Sequence, residues 1–193
     1  MNKLILASGS PRRQEMLSNL DIKLEVIPPK SESLPNPDEK PWEYAKRVSR
    51  EKMEEINNKT DKSKPSFILA ADTIVVLKNE ILGKPENIQQ WQEYLEKLSD
   101  TWHKVYTGYT LKCPKKIYSR VIKSKVRFTK ISHDQLEWYI STGEGTDKAG
   151  GYAIQGKGAV FIKEIRGSFT NIIGLPLSEV VEDLNKCSFF SLQ

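Results

Sequence analysis

The spacing of apolar residues changes period several times along this chain, and each change marks an element. Residues 3–7 contain the unbroken run Leu4-Ile5-Leu6-Ala7, which predicts a short buried strand. The run passes into Ser8-Gly9-Ser10-Pro11-Arg12-Arg13 and then a helix carrying Met16 and Leu17. Ser10 suits the N-cap and Pro11 the first helical position, where a missing N–H costs nothing. Residues 28–41 hold five prolines and predict a loop. Ala45, Val48 and Ile56 then mark the apolar stripe of a helix over 42–56, with Lys52 inside the stripe.

Further on, 67–77 reads as strand and is broken at Lys78-Asn79-Glu80, while Ile88, Trp91, Leu95 and Leu98 space out an amphipathic helix. Strands follow near 105–111 and 117–129. Ser132-His133-Asp134-Gln135 has capping-box spacing and opens a helix with Leu136, Tyr139 and Ile140 that stops at Gly143. Residues 150–165 read as a hairpin turning at Gly156-Lys157-Gly158, and 177–184 as a last helix. Strands and helices are mixed throughout, without a repeat or a linker, which implies one α/β domain over 1–193.

Composition narrows the setting. Hydrophobic residues at 38% and charged residues at 28% fit a globular chain rather than a disordered one. The net charge of +5 favours anionic ligands without choosing among them. Much of it sits at 112–130, where lysines and arginines alternate with Ile117, Ile122, Val126 and Phe128. A half-buried strand needs that alternation anyway, so the stripe reads as a wet strand face and no nucleic-acid partner is expected. Two histidines and two cysteines, Cys113 and Cys187, without a Cys-x-x-Cys, make a zinc site improbable, and nothing in their placement suggests a disulfide framework. The first apolar run is too short for a signal peptide and no segment could span a bilayer, so no membrane partner is expected and the cytoplasm is the default compartment.

Four places could carry chemistry. The turn at residues 8–13 offers a helix N-terminus, small residues and two guanidinium groups, a set that suits phosphate oxygens. Lys52 either snorkels to solvent or lines a cleft and pairs with an anion. Asp72, between the apolar runs 67–71 and 74–77, is either a turn aspartate bonded to its own backbone or a magnesium ligand or general base. Lys84, in Gly83-Lys84-Pro85, could reach a phosphate or face water. The segment 151–158 nearly spells a P-loop, but Gly158 replaces the hydroxyl residue that holds magnesium, so a P-loop is rejected. Gln155 keeps an amide able to meet both donors and acceptors of a base.

In order along the chain, Leu6-Ala-Ser-Gly-Ser-Pro-Arg-Arg13, Ala71-Asp72-Thr73-Ile-Val75, Gly83-Lys84-Pro85, His103-Lys-Val-Tyr-Thr-Gly108, Asp147-Lys-Ala-Gly-Gly-Tyr-Ala-Ile-Gln-Gly156 and Asn171-Ile-Ile-Gly-Leu-Pro176 resemble the Maf family of house-cleaning nucleotide pyrophosphatases, associated with septum formation. Each fragment is weak alone; their number and order over nearly the whole chain are specific. The resemblance implies an elongated mixed β-sheet flanked by helices, with two lobes around a nucleotide cleft, as in inosine-triphosphate pyrophosphatases. It implies hydrolysis between the α and β phosphates with a divalent cation, Mg2+ first and Mn2+ second. By the resemblance Ser8, Arg12, Arg13, Lys52 and Lys84 serve the phosphates, with Lys52 and Lys84 counted as catalytic. Asp72 is the proton acceptor and a metal ligand, and Glu32 stands beside the metal.

The Ser-Pro-Arg-Arg, Asp-Thr and Tyr-Ala-Ile-Gln-Gly forms are similar to the dTTP/UTP branch, with Arg12, Thr73 and Gln155 as the discriminating positions. A branch acting on 7-methyl-GTP and a non-catalytic nucleotide-binding regulator of cell division stay open as alternatives, and a homodimer is the assembly common in such families. One departure stands out. The family usually has Ser-Gly before its His-x-Val-x-Thr-Gly segment, whereas Ser99-Asp100-Thr101-Trp102 occurs here, which predicts an altered surface turn.

Overall fold

In the computed structural model, which describes residues 2–30, 33–61 and 66–190, the apolar runs become seven strands of one mixed sheet. They are β1 (Lys3–Ala7), β2 (Lys23–Val26), β3 (Phe67–Leu77), β4 (Glu80–Leu82), β5 (Trp102–Lys112), β6 (Ile117–Phe128) and β7 (Ile162–Arg166). The order is β2-β1-β3-β5-β6-β7, with β4 paired to β3. The helices are α1 (Pro11–Ser18), α2 (Pro41–Lys59), α3 (Ile88–Leu98), α4 (His133–Ser141), α5 (Phe169–Ile173) and α6 (Leu177–Lys186). This is the expected mixed α/β sheet with helices. By contact density the chain forms two compact units, the first holding residues 1–72, 107–122 and 174–193, the second 73–106 and 123–173.

In the first unit β1 pairs in parallel with both β2 and β3, in the registers Leu6↔Val26 and Leu6↔Leu69. Parallel neighbours need crossover connections, which α1 and α2 supply. A strand with a neighbour on each side and packing on both faces is apolar almost throughout, hence Leu4 to Ala7 and Phe67 to Ala71. On one face Ile5, Ala7, Ile68 and Ala70 pack with Met53 and Ile56 of α2. The helix comes so near β5 that a Cβ on Gly108 would lie 2.2 Å from the Ala45 carbonyl oxygen. On α6 the fully buried Asp183 accepts hydrogen bonds from Tyr109 Oη, at 2.7 Å, and from Arg120. Burial, then that bond, raises the tyrosine pKa.

One expectation fails here. Cys113, just after β5, and Cys187, at the C-terminal end of α6, form a disulfide. A separation of 74 residues carries no spacing motif, so only the fold brings the thiols together. No helix among the described residues is long and apolar enough to cross a membrane.

The second unit has an aromatic core. Trp91 meets Tyr139 edge-on at 5.6 Å, and Tyr139 meets Phe161 at 5.1 Å, beneath Leu95, Val105 and Val126. Asn87 caps α3 by accepting from the Gln90 N–H, and Ser132 with Gln135 completes the capping box of α4 as the spacing predicts. On β6, Ser124, Val126 and Phe128 are buried while Lys123 and Lys125 are exposed, the wet-face alternation expected of the basic stripe. The unusual turn before His103 places Asp100 at φ 52°, and its carboxylate holds Arg127 at 2.7 Å.

The hairpin expected at 150–165 does not form. Gly150 and Gly151 both take left-handed backbone (φ 69° and 72°), which turns the chain, and residues Lys157–Phe161 coil into a 3-10 turn. Only Ile162–Arg166 is strand, and it pairs antiparallel with β6 at Lys125↔Arg166 and Arg127↔Glu164.

Candidate active site

The first unit holds five of the expected residues, Ser8, Arg12, Arg13, Lys52 and Asp72. Ser8 ends the buried run of β1, and its Oγ accepts from the Ser10 N–H at 3.2 Å and from Arg13 Nη1 at 3.0 Å. Arg13 is buried, and its Nε donates to the Gly174 carbonyl at 2.7 Å. Burial lowers its pKa to about 10, with the Asp72 charge opposing and the Arg12 charge adding to the drop, so the group is still a cation at neutral pH. Arg13 therefore fixes the turn as well as charging it. Ser10 does stand at the N-cap, yet its side chain makes no capping bond, and no acidic residue lies in the first turn of α1. Anionic oxygens are favoured beside such a helix start. Arg12, half-buried next to Arg13, adds a second guanidinium.

Asp72 resolves two open readings at once. It sits inside β3, between Ala71 and Thr73, so it is not a turn aspartate. Its Oδ1 accepts from Lys52 Nζ at 2.6 Å, with both side chains 17% exposed. Lys52 thus lies in the apolar stripe of α2 because it reaches across to a strand carboxylate. Among the described residues Oδ2 of Asp72 takes no hydrogen bond. One partly shielded carboxylate with an unused oxygen can accept a proton from water or touch a cation.

The other described candidates lie in the second unit. Thr73 is half-buried on β3, directly after Asp72. Lys84 is exposed beside Gly83, whose carbonyl accepts from the Gly150 N–H at 2.9 Å. Gln155 is exposed in the turn between Ala153 and Gly158. Glu32 lies outside the described residues. Among the described residues no three His, Cys, Asp or Glu side chains converge on a cation site. Magnesium commonly binds one or two carboxylates together with phosphate oxygens, so a cation at Asp72 would need ligands beyond this carboxylate.

Two partners escaped the sequence reading. The carbonyl of Gly174 is a backbone group, invisible to any residue pattern. Glu144, in a loop after α4, carries no pattern that marks it; its carboxylate accepts from the backbone N–H groups of Lys157 and Gly158.

Comparison with known proteins follows the same outline. The family model described as "Maf-like protein" matches residues 3–187. A protein named dTTP/UTP pyrophosphatase from Syntrophus aciditrophicus is 49% identical over 184 residues, covering 94% of this chain and 88% of its own. Proteins of the same name from Anaeromyxobacter dehalogenans and Halalkalibacterium halodurans are each 40% identical, over 97% and 98% of this chain and 95% and 98% of their own. A solved nucleoside-triphosphatase from Mycobacterium abscessus, also titled a dITP/XTP pyrophosphatase, aligns at 15% identity over 96% of this chain and 98% of its own, with a TM-score of 0.45; at that level the architecture rests on the strand order alone.

Proposed function

The chain belongs to the Maf family, and from that premise we propose that it hydrolyses dTTP and UTP to the nucleoside monophosphate and pyrophosphate. The observation that carries the reaction is the Asp72–Lys52 pair, a strand carboxylate with one oxygen bonded to an ammonium and the other without a hydrogen bond among the described residues. Relatives at 39–49% identity named for this activity support the substrate.

Asp72 orients a water and accepts its proton as the oxygen bonds to the α-phosphorus. The bond from that phosphorus to the bridging oxygen breaks, and pyrophosphate leaves. Lys52 holds the carboxylate in one rotamer and balances its charge. The α1 N-terminus with Ser8, Arg12 and Arg13, together with Lys84, offsets the negative charge that grows on the departing group, and preorganised cations do this without reorganising during the reaction. Arg13 also fixes Ser8 and ties the turn to the Gly174 carbonyl, through Nη1 and Nε. A divalent cation bound through Asp72 and the phosphates, Mg2+ before Mn2+, would neutralise phosphate charge further.

Arg12, Thr73 and Gln155 select the base. Uracil and thymine present acceptor, donor, acceptor along one edge, which a glutamine amide can meet in part and backbone groups complete. Product analysis tests the reaction. Equal amounts of dTMP and pyrophosphate from dTTP are expected; dTDP and phosphate would mean a different bond is cut and would overturn the reading.

A further inference from the structure

Resting on the assignment of Gln155 to the base, the geometry points to Glu144 as a positioning residue that sets the selectivity of this enzyme for pyrimidine edges through the backbone of the Gln155 turn.

Gln155 lies in a turn that has little structure of its own. Across Gln155 itself the chain makes one long bond, from the Gly156 N–H to the Ala153 carbonyl at 3.5 Å. The turn is held from outside at both ends. After Gln155, Glu144 Oε1 accepts from the Lys157 N–H at 2.8 Å and Oε2 from the Gly158 N–H at 2.9 Å. Before it, the Ala153 N–H donates to Tyr139 Oη at 3.2 Å. The same hydroxyl donates to Glu144 Oε2 at 3.0 Å. One carboxylate and one phenol therefore fasten residues 153 and 157–158 to the end of α4, and Gln155 sits between the two anchors.

The approach is close enough to dictate residue type. A Cβ on Gly156 would lie 2.1 Å from Glu144 Oε1, and one on Gly158 would lie 2.8 Å from the Ala153 carbonyl oxygen and 2.9 Å from Tyr139 Oη. The two glycines of Gln155-Gly156-Lys157-Gly158 thus make room for the clamp rather than for a phosphate, which also explains why the segment imitates a P-loop. Tyr139 is fully buried between Trp91 and Phe161, so the anchor is rigid. Trp91 fixes the approach to the turn by donating to the Gly151 carbonyl at 2.7 Å. Burial alone would raise the Glu144 carboxyl; the N–H groups of Lys157 and Gly158, then the Tyr139 hydroxyl, outweigh it and hold the carboxyl below its ordinary pKa. A carboxylate accepts two N–H bonds at once, one on each oxygen. An amide has one oxygen and must drop one of them.

The test compares kcat/KM for UTP and CTP in the intact protein and in Glu144→Gln, Tyr139→Phe and Gln155→Ala variants. A ratio between two substrates on one sample does not depend on how much of the sample is folded, so it separates positioning from a structural role. The expected result is a fall of about tenfold or more in the UTP-over-CTP ratio for Glu144→Gln and for Gln155→Ala, appearing mainly in KM. Tyr139→Phe should give a smaller fall. The double variant Glu144→Gln/Gln155→Ala should be no less selective than Gln155→Ala alone, because both changes act on one contact. If Gln155→Ala lowers the ratio while Glu144→Gln and Tyr139→Phe leave it unchanged, the positioning role is wrong and the base contact stands. If Gln155→Ala leaves the ratio unchanged, the base contact itself is wrong and the proposal goes with it.

Discussion

Lys52 Nζ lies 2.6 Å from Asp72 Oδ1, so a helix and a strand each contribute one half of a charged pair that neither would bury alone. A carboxylate on a strand this apolar needs a partner, and a lysine in an apolar helical stripe needs an anion. Each residue accounts for the other. Asp72→Asn keeps shape and removes the proton acceptor, so kcat should fall by about 10³-fold with KM within a few fold. Single-turnover kinetics on dTTP checks this. Equal turnover by the variant would remove Asp72 from the chemistry.

Arg12 and Arg13 are adjacent in sequence and should behave differently. Arg13→Met removes the buried hydrogen bonds to the Gly174 carbonyl and to Ser8 Oγ, at a cost of about 3 kcal/mol by chemical denaturation. Arg12→Ala should stay within about 0.5 kcal/mol of the parent and raise KM for dTTP instead. The denaturation and kinetic measurements together separate the anchor from the ligand group.

The Cys113–Cys187 disulfide closes a long loop between the β5 end and α6. Tying a loop of that length restricts the unfolded chain, an effect on the order of 4 kcal/mol in the chain-entropy view. Reduction should therefore lower the melting temperature, and Cys113→Ser/Cys187→Ser should melt at the reduced value with or without reductant. Unchanged melting on full reduction would show that the bond carries no stability.

His103 gives the fold an acid limit. Its ring is buried against Phe128 and Tyr152, with Nε2 2.7 Å from Tyr152 Oη and no partner for Nδ1 among the described residues. Burial lowers its pKa to about 3, against 6.5 when exposed. Below 6.5 the unfolded chain takes a proton that the folded one refuses, so stability falls as pH drops through that window. The loss from this residue is about 2 kcal/mol by pH 5. His103→Gln should flatten the difference in unfolding free energy between pH 7 and pH 5 by that amount.

Most of the architecture is legible in the residues because period and capping agree with the fold. Ser132 and Gln135 open α4, the spacing of Ile88, Trp91, Leu95 and Leu98 marks α3, and the alternation at 123–128 faces its lysines outward as a strand must. The edge strand Lys23–Val26 carries one pattern too short to read, and α5 has only five residues. The hairpin error at 150–165 has a physical cause. Gly150 and Gly151 bend the chain by left-handed backbone, and Glu144 supplies the bonds that a strand partner would have supplied. Of the site, Asp72 and Lys52 announced themselves by being charged among apolar neighbours. Glu144 did not, because a loop carboxylate that serves backbone N–H groups looks like any wet surface residue.

Pyrophosphate release from a panel of dTTP, UTP, CTP, ITP and 7-methyl-GTP with Mg2+, by the protein and by its Asp72→Asn variant, tests the central claim most directly. The account predicts turnover of dTTP and UTP well above the other three, lost in the variant. Preference for 7-methyl-GTP, or release of pyrophosphate that survives Asp72→Asn, would contradict it.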